Sequence, residues 1–224
     1  MQLADSRLTQ RLQSVPMSIT RTRAAWKRMR SLVSRDIDIH SQWPLTFGLV
    51  GRHRPRWFLF FYLLFSIHMF PAVMLYRLQS FFYESGFPPV ATFISRLNDF
   101  LFDVAIGNQV RSNGALLISH GHVVLDGWTT LGDHVEINPF VTLGIGNSSQ
   151  KPFELFGPTI GDYVNIGTGA KVIGKVTVGD HVRIGANSVV LSDIPPDSTA
   201  VGAPARHFLT KRGPGDRPWE PPSE

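Results

Sequence analysis

The chain contains no cysteine. That absence removes disulfides and thiolate metal sites, and it suits a reducing compartment. The first twenty residues, MQLADSRLTQRLQSVPMSIT, hold no apolar run, so no cleaved secretory signal is expected and a cytoplasmic location is. Charge is sparse at 17% of residues and uneven in sign, with 22 lysines and arginines against 17 acids, a formal +5. Much of the excess lies before residue 60, in RTRAAWKRMR (21–30) and GRHRPRW (51–57). A basic front end suits nucleic acid, anionic lipid or a phosphorylated ligand, or is simply a solvated face. What the composition supplies is apolar matter: 43% of 224 residues, which argues against disorder and allows a sizeable core in one or two domains.

The pattern of those apolar residues has a period of six. A small aliphatic returns at Leu131, Ile137 and Leu143, then at Ile160, Ile166, Val172, Val178, Ile184 and Val190. Glycine follows it at Gly132, Gly144, Gly161, Gly167, Gly179 and Gly185, and a second small residue recurs four positions on, as at Val135, Val164 and Ala170. Neither a 3.6-residue helix nor a two-residue strand alternation produces this spacing. Short strands joined by sharp corners do, with the aliphatic pointing into a narrow prism and glycine at the corner. The expected fold is an all-β left-handed parallel β-helix over 101–210, preceded by an α-helical, basic and apolar region over 1–100 and followed by a disordered tail, 211–224. Such a prism lacks a deep cleft, so self-association into a homotrimer, with ligands between subunits, is the expected assembly.

The rhythm breaks twice. Leu143 to Ile160 is 17 residues and contains the polar excursion GIGNSSQKPFELFGP. A loop of that length in a tight solenoid points to function. Ile118 to Leu125 is seven residues, one too many, and so predicts a bulge that re-aims side chains. His120 and His122 both fall in it. An imidazole suits a general base near neutral pH. A metal site is not expected, because the third candidate ligand, His134, lies in an ordinary corner matched by His181.

Several segments together carry a resemblance: YRLQSFFYESG (76–86), SHG at the bulge, VTLG (141–144), PTIGDYVNIGTGAKVIG (158–174), VTVGDHVRIGANSVVLSDIPPDS (176–198) and VGAPAR (201–206). Over roughly residues 70–210 the chain resembles the hexapeptide-repeat acyltransferases, and within them the serine-acetyltransferase-like branch of the exopolysaccharide type. The resemblance implies acetyl-CoA as co-substrate, lying in a groove between subunits against Thr168, Ala186, Leu191, Ser192 and Arg206. It implies a catalytic histidine at His120 when counted from the N-terminal side, with His122 in reserve, and an oxyanion donor near Gly144. It also shows departures. The family's aspartate opening the first coil is Ala105, and Gly107 stands where a histidine is usual. The aspartate before the catalytic histidine is Ser119, and the arginine–histidine pair closing the long loop is Phe156–Gly157. With those grips on a zwitterion absent, the expected acceptor is a hydroxyl of a sugar, glycan or polysaccharide precursor. Serine with an atypical pocket is the alternative, and a catalytically silent scaffold is another. Asp126 is the candidate carboxylate to orient the imidazole.

Residues 57–76, WFLFFYLLFSIHMFPAVMLY, are apolar on all sides around Ser66, His68 and Pro71. A helix buried in the assembly is one reading. Contact with the cytoplasmic membrane surface is the other, which would make the protein peripheral there. No nucleic-acid partner is expected, and trimers pairing into hexamers stay open.

Overall fold

The six-residue period becomes a stack of triangular coils. The computed structural model describes residues 19–41, 54–67, 69–146 and 156–210. The first face of the prism is the parallel sheet β1 (Val104–Ile106), β4 (Val123–Leu125), β7 (Thr142–Gly144), β10 (Lys171–Ile173) and β13 (Val189–Val190). The second is β2 (Arg111–Ser112), β5 (Thr130–Leu131), β8 (Thr159–Ile160) and β11 (Thr177–Val178). The third is β3 (Leu116–Ile118), β6 (Val135–Ile137), β9 (Asn165–Ile166), β12 (Arg183–Ile184) and β14 (Ser198–Val201), to which β15 (Arg206–Leu209) adds antiparallel.

Register aligns the periodic aliphatics into ladders. Ile106, Leu125, Leu143, Val172 and Val190 stack on the first face; Ile118, Ile137, Ile166, Ile184 and Ala200 stack on the third. All are buried. Burial of each such side chain contributes on the order of 1.5–3 kcal/mol, which drives coil after coil into the same register. Ser112 is the polar member of the second ladder, and its hydroxyl donates to the Gly114 carbonyl.

The glycines do a different job from the one their corner placement suggests. The left-handed corner conformation falls on His134, Phe140, Tyr163, His181, Asn187 and Asp197, with φ between 54° and 62°. The repeat glycines are instead where one coil presses on the next: a Cβ at Gly167 would lie 2.7 Å from Ala186 N, and one at Gly161 2.4 Å from Asp180 Oδ1. Close approach, not backbone handedness, demands them.

Among the described residues four helices precede the prism: α1 (Ile19–Ser41), α2 (Arg56–Ser66), α3 (Phe70–Glu84) and α4 (Pro88–Phe102). The apolar stretch 57–76 is not one helix. It bends by 112° between α2 and α3, and no single helix among the described residues is long and apolar enough to cross a membrane. Pro71 sits in the first turn of α3, where its missing N–H costs nothing. Helix α3 is buried through Phe70, Ala72, Val73 and Tyr76, whereas α2 leaves Trp57, Phe61 and Phe65 exposed. The GRHRPRW segment lies partly outside the described residues, as do the 147–155 part of the long loop and the 211–224 tail.

A buried charge cluster fastens helices to prism. Arg77 of α3 donates to both carboxylate oxygens of Asp36 of α1, at 2.7 and 2.9 Å, and to the Gly114 carbonyl at 2.8 Å. Asp36 Oδ1 also accepts from Leu116 N at 3.0 Å. Tyr76 donates to the Val110 carbonyl at 3.0 Å. The cluster thus ties α1 and α3 to the first coil at Val110, Gly114 and Leu116, and α3 and α4 cap that coil.

Candidate active site

The bulge predicted between Ile118 and Leu125 is the corner that joins β3 to β4. Pairing of Ile118 with Ile137 and of Val104 with Val123 leaves residues 119–122 to carry the extra position. Its first residue is fixed: Ser119 N donates to the Ile137 carbonyl at 3.0 Å, and the hydroxyl donates to Asn138 Oδ1 at 3.2 Å. Its third residue is pressed against the end of α4, where a Cβ on Gly121 would stand 2.3 Å from the Phe102 carbonyl oxygen. Val123 N then donates to the Asp103 carbonyl at 3.0 Å. The two histidines therefore flank a glycine wedged on a helix terminus.

Their surroundings differ. His120 is exposed and has no hydrogen-bond partner among the described residues. His122 adopts φ 61°, and its ring lies flat on Phe140, with centroids 4.8 Å apart and planes 4° from parallel. Its Nδ1 is 3.8 Å from Asp103 Oδ2.

The corner belongs to the edge between the third and first faces, here the histidine edge. Coil by coil that edge carries Ser119–His122, then Phe140, then Thr168, then Ala186, and ends beside Arg206 at the start of β15. Thr168, Ala186 and Arg206 are all exposed along it. Gly144 ends β7, and Leu191 and Ser192 follow β13, so all three lie at the other edge of the first face, here the loop edge. Leu191 and Ser192 are exposed there, while Gly144 is buried and its carbonyl accepts from Gly174 N at 3.0 Å. One protomer thus does not bring Gly144, Leu191 and Ser192 together with the imidazoles.

Asp126 is also on the loop edge, where its Oδ1 accepts from Gly127 N, so it does not orient His120. Sequence counting favoured it because it is near in the chain. The carboxylate that does approach an imidazole, that of His122, is Asp103, which follows the last residue of α4. Phe140 was equally missed, although it stands 18 residues after His122, one coil on, and that spacing could have revealed it. At the base of the long loop, Gly157 stands where a histidine was looked for; a Cβ there would lie 2.4 Å from Thr129 N, so no side chain fits. Phe156 carries the Lys175 ammonium over its ring at 5.4 Å. No group of histidine and acidic residues among those described is arranged to hold a metal ion.

A parallel prism of hexapeptide coils with an imidazole-bearing edge defines the class, the hexapeptide-repeat acyltransferases. Residues 157–192 match the bacterial transferase hexapeptide family (six repeats). A serine acetyltransferase from Helicobacter pylori is 44% identical over 143 residues, 63% of this chain and 81% of that one. A soybean serine acetyltransferase complexed with serine superposes with a TM-score of 0.68 at 28% identity, covering 81% of this chain and 70% of that one. A serine acetyltransferase in complex with CoA gives a TM-score of 0.68 at 25% identity, over 83% and 73% of the two chains. The chain belongs to the serine-acetyltransferase-like branch of these enzymes, its coils form the left-handed β-helix, and acetyl-CoA is its co-substrate.

These likenesses overturn the expected sugar, glycan or polysaccharide acceptor. Similar relatives in sequence, at 39–44% identity, and in structure are named serine acetyltransferases. The expectation rested on charged groups lost at counted positions, and counting could not see that the end of α4 delivers a different carboxylate, Asp103, to the histidine corner.

Proposed function

We propose that the chain is a serine O-acetyltransferase, transferring acetyl from acetyl-CoA to the hydroxyl of L-serine. The observation that carries this reading is the strained histidine corner lying on the same edge as Thr168 and Ala186, in a chain 44% identical to a named serine acetyltransferase. His120 takes the hydroxyl proton as that oxygen attacks the thioester carbonyl; collapse of the tetrahedral adduct expels the CoA thiolate, which takes up a proton. The small side chains at Thr168 and Ala186 let a thin pantetheine arm lie against the backbone, and Arg206 suits a CoA phosphate. Backbone N–H donors near Gly144 would meet the oxyanion from a neighbouring copy, because the loop edge carries them. Assembly as a homotrimer, histidine edge against loop edge, completes the site.

The test is thiol release from acetyl-CoA with and without L-serine. Release dependent on L-serine, falling about 10²- to 10⁴-fold in His120→Ala, is expected. Absence of serine-dependent release from the unmodified chain refutes the acceptor, and an undiminished His120→Ala enzyme refutes the base.

A further inference from the structure

We infer that Asp103, His122 and Phe140 form a subsite for the ammonium group of the acceptor, an inference that rests on the serine reading above. Asp103 and His122 face each other across 3.8 Å, with side chains 67% and 57% exposed. That separation is too long for a hydrogen bond between them. Among the described residues neither Asp103 Oδ2 nor His122 Nδ1 has a hydrogen-bond partner. The Asp103 backbone and the His122 ring are held all the same. Asp103 is held at φ 53° where α4 ends and β1 begins, and its backbone binds both Asp99 and Val123. His122 is held flat on Phe140.

A carboxylate on a held backbone and a ring nitrogen on a stacked ring, with a gap between them, match a group that donates more than one N–H. A primary ammonium can donate to Asp103 Oδ2, whose carboxylate supplies the countercharge, and in the same gap reach the ring nitrogen His122 Nδ1. Phe140, itself 56% exposed, adds an aromatic wall that a cation tolerates and an anion does not. The other carboxylates along this part of the prism are engaged or remote: Glu136 accepts from Asn165, and Asp126 lies on the loop edge. Gly121 separates this pair from His120 in the chain, so the acceptor that the two ends of the corner suit together is a short amino alcohol. The acceptor class is then a small primary amine bearing a neighbouring hydroxyl.

The substitution that tests this is Asp103→Asn. Asparagine keeps the left-handed backbone preference and the shape, and removes only the charge. Thiol release is measured at saturating acetyl-CoA with L-serine varied, and again with 3-hydroxypropanoate, which lacks the ammonium, as a competing ligand. The KM for L-serine should rise about tenfold or more, with kcat changing much less, while the inhibition constant for 3-hydroxypropanoate stays where it was. An unchanged KM for L-serine overturns the subsite. So does equal weakening of both ligands, which marks a structural role, and so does a collapse of kcat at constant KM, which makes Asp103 a partner of the base. If the unmodified chain releases no thiol with L-serine, the serine reading falls and this subsite falls with it; if it does and Asp103→Asn matches it, only the subsite falls.

Discussion

Gly121 concentrates the strain of the histidine corner in one atom. Since a Cβ there meets the Phe102 carbonyl oxygen at 2.3 Å, Gly121→Ala must push the corner off the end of α4. The expected cost is about 1–3 kcal/mol in urea unfolding, with a loss of turnover larger than that stability change explains, because both imidazoles move with it. His40 is the second residue whose environment is decisive. It is buried in α1 with its ring edge-on to Phe70, and Nδ1 lies 2.7 Å from the Asp36 carbonyl. Burial holds its pKa below the ordinary value, more strongly than Asp36 pulls it up. As pH falls through about 6.5 the unfolded chain takes up the proton before the folded chain does, so stability is full above that pH and declines below it. Unfolding midpoints at about pH 7.5 and 5.5 should differ less in His40→Leu than in the unmodified chain. Neither residue announced itself in the sequence: Gly121 read as part of a familiar triplet, and nothing local marks His40 as buried.

At the scale of elements, the periodic part was legible and the joints were not. Strands Leu131 to Val190 follow from a spacing that only a coil of hexapeptides satisfies, so their interior residues were readable in order. The division of 57–76 into α2 and α3 was not, because an all-apolar run hides a bend that packing decides. Helix α1 was hidden for the opposite reason: RTRAAWKRMR looks like a solvated basic face, yet the same helix carries Asp36 into the prism. That carboxylate shows what holds the helical region on. Asp36→Ala leaves the Arg77 guanidinium buried without its partner and should cost about 3–5 kcal/mol by urea unfolding. Replacing Asp36 with leucine and Arg77 with methionine together should cost much less, since no uncompensated charge remains. Equal losses in the single and double variants would show that packing of the helix, not the ion pair, is what matters.

For the whole molecule, the serine-acetyltransferase reading proposed above, with Gly144, Leu191 and Ser192 a face away from the imidazoles, predicts that activity is a property of the assembly. Specific activity should fall on dilution in step with the loss of trimer mass measured by light scattering, and a variant of normal fold held monomeric should be inactive. Full activity in a monomer would place the entire site in one chain.

The coil stack has a metrical consequence. From His120 to Arg206 the histidine edge climbs five strand spacings, from β3 through β6, β9, β12 and β14 to β15, and neighbours are about 4.8 Å apart, so the two ends stand roughly 24 Å from each other along the axis. That span can change only in steps of one coil, because a partial turn would rotate the inward ladder out of the core. The prism is in effect a ruler, and the reach it can accommodate between a reacting carbonyl and a distant phosphate is set by how many coils were counted into the chain.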